Sequence, residues 1–288
     1  MRTAIAIALV AAAAIVAAAL GACGDGAETT SAGPPPPPTA PEPATLVAKR
    51  DHGERRPPPK LPSAAGLKAA RQFAGRRSGV VSFAVVNSEG KLRGDRENRR
   101  FPAASAVKAM LLAAETRRLK HEGERIDPAT DALLTAMITA SDNDAADAIY
   151  ARSGDAGLYA VARRARMTRF AVAGHWGNAQ IAATDMARLF ADLDRVLPRR
   201  FRVYAKGLLG SVIESQSWGI PVAAGERWAV RFKGGWLPER ALVHQAAELR
   251  ERDGQRALAI AVLTDGGPSH ADGVATVEGV AARLLSRR

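Results

Sequence analysis

Apolar and polar positions divide the chain into three stretches. Behind Arg2, residues Ala4 to Leu20 are continuously apolar. From residue 24 to about 62 the apolar signal is lost among prolines and polar residues. After that, periodic patterns begin. Leu67, Ala70, Phe73 and Ala74 recur at helical spacing, and Val80 to Val86 reads as a strand closing through the turn Asn87-Ser-Glu-Gly90 into a second strand that ends at Phe101-Pro102. A helix is expected over Ser105 to Leu119, and another begins at Asp127-Pro128, with Asp127 as N-cap and Pro128 in the first turn. Ala145 to Ala151 continues the helical region. Strands return at Trp228 to Phe232, Leu242 to Leu249 and Gln255 to Leu263, and Val274 to Leu285 closes the chain as a helix. Periodicity alone predicts an α+β fold.

The first two stretches bear on compartment. The apolar run ends Leu20-Gly21-Ala22-Cys23, the form of a bacterial lipoprotein signal cleaved before its cysteine. Residues 1–22 are therefore expected to be a signal peptide, with Cys23 lipidated and the mature chain held on the outer face of the cytoplasmic membrane, facing the cell wall. The competing reading is an ordinary secretory signal. Cys23 is the only cysteine, so no intrachain disulfide can form. Residues 23–62 read as a tether: Pro34 to Pro38 is an unbroken run, and Pro41, Pro43 and Pro57 to Pro59 follow among polar residues. Such a segment favours extended polyproline II and spans on the order of 100 Å at most, at about 3.1 Å per residue. Residues 63–288 remain for the globular domain.

The net charge of +12 raises the question of nucleic acid. The arginines are dispersed, aromatics are few and no recognition motif is present, so nucleic-acid binding is not expected. A basic surface would also favour anionic envelope polymers. His52, His121, His244 and His270 show no metal-ligand spacing, and no motif calls for a metal or cofactor.

Three motifs carry the chemistry. Ser105-Ala-Val-Lys108 places a hydroxyl and an amine three residues apart, on one face of a helix. A serine needs an adjacent base to become a nucleophile, and a partly desolvated lysine near other cations can supply one. Ser141-Asp142-Asn143 adds a second hydroxyl and an amide. Lys233-Gly234-Gly235 adds a cation beside glycines that allow close approach to backbone. The set suits acyl transfer.

In this order the motifs resemble S-x-x-K, S-D-N and K-T-G of the serine β-lactamase and penicillin-binding-protein superfamily, and the resemblance, to its class A branch, covers roughly residues 65 to 288. Phe101-Pro102 ahead of the serine and Ala182 to Leu189, similar to the helix after the family's omega loop, agree with it. The resemblance implies an antiparallel sheet built from both chain ends, flanked by helices, with an all-helical lobe carrying the nucleophile. It implies Ser105 as nucleophile, Lys108 as base, Ser141 as proton shuttle, Asn143 as partner of a substrate carbonyl or of Lys108, and Lys233 as attractor of a substrate carboxylate. Backbone N–H groups of Ser105 and Trp236 would form the oxyanion hole. The implied partners are a peptidoglycan-like peptide or a β-lactam.

Three departures qualify that expectation. Gly234 lacks the family's hydroxyl, and the interval from Ser105 to Ser141 is shorter than in class A enzymes. The segment Phe170 to Gln180, where the omega loop belongs, contains no carboxylate. Class A enzymes use a glutamate there to deacylate through water. An envelope-anchored serine hydrolase or acyltransferase that binds penicillin and deacylates slowly is therefore expected, with His175 a candidate substitute base. The alternative is a non-catalytic lipoprotein that uses the fold for cell-wall or protein binding.

Overall fold

The computed structural model describes residues 61–252 and 257–286. The signal peptide, Cys23 and nearly all of the tether lie outside them.

Ser63 caps α1 (Ala64–Gly75) through its side chain. Strand β1 (Val80–Asn87) turns through the Asn87 side chain, which accepts from the Glu89 and Lys91 amides, into β2 (Leu92–Asp95). The second strand was expected to run on to Pro102. Instead Arg96 takes φ 47°, and the chain leaves the sheet to form a separate strand, β3 (Arg100–Pro102). Then come α2 (Lys108–His121), α3 (Pro128–Thr135) and α4 (Asn143–Arg164), which kinks at Gly154 and extends well beyond the expected Ala151. The Asp127 carboxylate accepts from the Thr130 amide, the expected cap.

Strand β4 (Gln180–Ala182) pairs antiparallel with β3 and leads into α5 (Ala183–Ala191). Short helices α6 (Leu193–Val196), α7 (Arg202–Leu209) and α8 (Ile220–Ala224) precede the strands β5 (Trp228–Leu237), β6 (Leu242–Glu251) and β7 (Ala257–Asp265). Helix α9 (His270–Leu285) follows, capped by Ser269.

The main sheet has the order β2-β1-β7-β6-β5, antiparallel throughout, so the first and last strands of the described chain pair with each other. Both faces are covered. One face packs Phe83, Val85, Ile260 and Val262 against α1 and α9. The other joins Ala84, Ala246 and Ala261 to a larger core around Met110, Leu112, Ile149, Met186 and Phe190 in the helical lobe. Burying a side chain of this size stabilises by about 1.5–3 kcal/mol. This is the α+β architecture expected. His244 on β6 joins the two sheets: fully buried, its Nε2–H donates to Pro102 O (3.0 Å) and its Nδ1 accepts from the Thr264 amide (3.2 Å). Burial pushes its pKa down to about 4, so it is a neutral structural residue.

Candidate active site

The serine turn lies at the seam between sheet and helical lobe. Ser105 sits in a 3₁₀ turn, Ala104–Val107, that runs directly into α2. Ala104 ahead of it has φ 45°, a left-handed conformation that costs a non-glycine residue of order 1–3 kcal/mol and recurs at functional sites. The turn is fixed by β3 behind it and by edge strand β5 beside it. At Gly235 a Cβ would lie 2.5 Å from Ala106 N and 2.8 Å from Ser105 N, so only glycine lets β5 pass this close to the serine.

Lys108, the first residue of α2, is fully buried. Its Nζ donates to Ser141 O (2.5 Å) and to Asn143 Oδ1 (2.6 Å). Burial pushes its pKa down to about 8, against the opposing charges of Asp142 and Asp147. Neutral lysine has two N–H bonds and one lone pair. With both N–H bonds directed to these acceptors, one lone pair is left uncommitted; Ser105, three residues back, is not hydrogen-bonded to it. Among the described residues Ser105 Oγ has no hydrogen-bond partner of its own.

Ser141 closes the π-helical turn Ala136–Ala140 in a left-handed conformation, φ 62°. That geometry aims its carbonyl at Lys108 and its hydroxyl at Lys233, whose Nζ donates to Ser141 Oγ (3.0 Å) and to Gly234 O (2.9 Å). Lys233 is completely buried, and burial followed by the charge of Lys108 brings its pKa down to about 7. The two amines are therefore linked through one serine, and the pair sheds its first proton in the neutral range. Asp142 caps α4 by accepting from the Ala145 amide (2.7 Å), a structural role.

The segment 170–180 is a tight loop closed by Ala171 and Gln180, which exchange backbone hydrogen bonds. It brings the buried Trp176 ring to 5.0 Å from Lys108 Nζ. A carboxylate does reach this loop, from α4: Asp147 Oδ1 accepts from Trp176 Nε1 (2.6 Å) and His175 Nε2 (3.0 Å). Sequence reasoning passed over Asp147, although it lies one helical turn after Asn143 and hence on the same face. His175 Nδ1 accepts from the Gly177 amide (3.0 Å), so with Nε2–H given to Asp147 neither ring nitrogen keeps a free lone pair. That argues against His175 as a water-activating base.

Other features stand apart from this chemistry. A cavity of about 410 Å³ opens beside the β1–β2 turn, lined in part by Arg166, Asp192 and Glu248, and includes none of the motif residues. Within it Arg166 pairs with Asp192, and Glu248 pairs with Lys206, Arg231 and Arg250. Among the described residues no group of three His, Cys, Asp or Glu is placed to hold a metal ion.

The sheet-and-lobe architecture and the three motifs at its seam define a serine β-lactamase and penicillin-binding-protein superfamily domain. The model of the Beta-lactamase enzyme family matches residues 127–287, more than half of the chain, and the chain belongs to that family. The match takes in Ser141, Asn143 and Lys233; Ser105 and Lys108 precede it and join them through the fold. Among solved structures the chain is similar to a β-lactamase from Sphaerobacter thermophilus, at 19% identity and TM-score 0.68, over 76% of this chain and 95% of that one. A β-lactamase from Xanthomonas campestris matches at 19% identity and TM-score 0.67, over 76% and 97%. A class A β-lactamase from Mycobacterium abscessus gives 19% and 0.67, over 76% and 98%. At these identities the likeness is one of fold. No curated protein matches the chain.

Proposed function

We propose that the protein is an envelope-anchored serine hydrolase or acyltransferase that forms an acyl-enzyme through Ser105 and releases it slowly. The observation that carries this reading is the double engagement of buried Lys108 by Ser141 O and Asn143 Oδ1, which leaves one lone pair uncommitted three residues from Ser105. In the proposed reaction Lys108 takes the Ser105 proton as Oγ attacks the substrate carbonyl carbon. The oxyanion is held by the N–H groups of Ser105 and Trp236. As the bond to the leaving group breaks, the Ser141 hydroxyl passes a proton to the departing nitrogen or oxygen and is resupplied from the lysine pair. The ester on Ser105 then awaits water or another nucleophile.

Slow release is supported by the absence of a carboxylate within 170–180, by the hydrogen bonds that occupy His175, and by the engagement of Asp147, the carboxylate that reaches the loop from α4, with Trp176 and His175. β-Lactams and peptidoglycan-like peptides are the acyl donors to which family membership points. Lipidation at Cys23, with a tether over 23–62, is the proposed anchor to the outer face of the cytoplasmic membrane; it rests on the sequence Leu20-Gly-Ala-Cys23.

An active-site-directed fluorophosphonate tests the reading. It should label wild type on Ser105, fail on Ser105→Ala, and label Lys108→Ala at least tenfold more slowly, a loss of about 1.4 kcal/mol. Labelling of a different serine would overturn the Ser105 assignment, and no labelling at all would point instead to a lipoprotein that uses the fold for binding.

A further inference from the structure

Three aromatic rings cluster beside the third motif on edge strand β5, where the family resemblance implies a carboxylate anchor. Trp218, Trp236 and His270 meet edge to face, with ring centres 5.9 to 6.3 Å apart, and all three are half-buried. Trp236 follows Gly235, the residue pressed against Ser105 N, so strand alternation puts the Trp236 ring and position 234 on the other face of β5, flanking the free edge of that strand. A side chain at Gly234 would point at Trp218: its Cβ would lie 3.6 Å from Trp218 Cη2 and 3.7 Å from Cζ2. That is van der Waals contact, so the indole borders the place where the family's hydroxyl is missing.

Trp218 is held there by a buried clamp. Gln245 lies opposite Gly234 in the β5–β6 ladder and is fully buried. Its Nε2 donates to Trp218 O (2.7 Å) and its Oε1 accepts from the Ile220 amide (2.7 Å), pinning the segment on both sides of Gly219. Gly219 sits at φ 70°, and a Cβ on it would lie 2.7 Å from Gln245 Oε1, so the clamp requires glycine.

The lysine of the third motif is withdrawn from the cleft. Lys233 is wholly buried, with two donors committed to Ser141 Oγ and Gly234 O. A carboxylate brought to this edge would shed water against ring faces, with neither the hydroxyl missing at 234 nor an exposed lysine to receive it, which is unfavourable. An apolar or aromatic group would bury surface against three rings.

We propose that the acyl donor is a neutral ester or amide whose leaving group carries an apolar or aromatic moiety and no carboxylate, seated on Trp218, Trp236 and His270. The inference rests on the Ser105 reading for its reaction, and narrows it: carboxylate-bearing β-lactams and peptides are poor donors. Gln245 is a positioning residue for Trp218.

The test uses the full chain and two phenylacetylglycyl aryl esters, whose leaving phenols differ only in a methyl-esterified or a free carboxylate. Phenol release should give kcat/KM at least tenfold higher for the neutral ester, and Trp218→Ala should reduce that preference to less than about threefold. Equal or faster reaction of the carboxylate ester overturns the proposal. Ser105→Ala supplies a readout independent of chemistry: it should bind the neutral ester at least tenfold more tightly, measured by tryptophan fluorescence. Equal or tighter binding of the carboxylate ester overturns the substrate class. Loss of fluorophosphonate labelling at Ser105, with the binding preference intact, overturns only the nucleophile assignment.

Discussion

The indole of Trp176 lies over the amine of Lys108, 5.0 Å from ring centre to Nζ, and is tied from behind by Asp147. One contact has two consequences. The ring excludes water from Lys108 and so favours its neutral form, while the Asp147 charge beyond it works the other way.

Lys108 must be neutral to accept the Ser105 proton, so acylation should rise with pH through a midpoint near 8, where its pKa lies. Trp176→Ala admits water and should move that midpoint upward. Asp147→Asn removes an anionic neighbour and should move it downward. Stopped-flow acylation by a neutral aryl ester across pH 6–10 checks both directions; shifts in the same direction would separate the lysine from these two residues.

Gly235→Ala would place a methyl 2.5 Å from Ala106 N, a backbone atom with little room to yield. The expected result is loss of serine labelling together with destabilisation of about 1–3 kcal/mol, the usual cost of overpacking. Urea melts of labelled and unlabelled protein measure both effects.

His244 makes the fold sensitive to acid. Its folded pKa, about 4, lies below the unfolded value near 6.5, so between these limits the unfolded chain binds more protons. Its contribution is fully present above pH 6.5 and is lost as pH falls through about 4, up to roughly 3 kcal/mol. In denaturant melts at pH 7 and pH 4.5, His244→Gln should show a smaller loss between the two pH values than wild type. An equal loss would place the acid sensitivity elsewhere.

The anchor is tested by mass spectrometry of protein from a bacterial host. Cys23 should be the N-terminal residue and carry lipid mass, and Cys23→Ser should block processing or release the protein from membranes. A free thiol at Cys23 would contradict the proposal.

Local patterns made the scaffold readable. The Asp127 cap, the Asn87–Gly90 turn and the strands flanking Lys233 follow from residues adjacent in sequence. The Ser105–Lys108 pair is visible because helical spacing puts three-apart residues on one face. What escaped was set by tertiary contacts. Arg96 leaves the sheet through a left-handed turn that carries no glycine to signal it. Trp218 lies against position 234 because Gln245, on the neighbouring strand, clamps its backbone. Asp147 could have been found from its spacing to Asn143, but its partners lie in a distant loop. Lys233 looks in sequence like an exposed anchor for a carboxylate, whereas the fold buries it completely behind Ser141.

Intact-protein mass spectrometry during reaction with the neutral aryl ester tests the central claim most directly. The account predicts one acyl group per chain, accumulating within the phenol burst, mapping to Ser105, decaying much more slowly than it forms and absent in Ser105→Ala. Steady turnover with no acylated species, or an adduct that persists in Ser105→Ala, would contradict it.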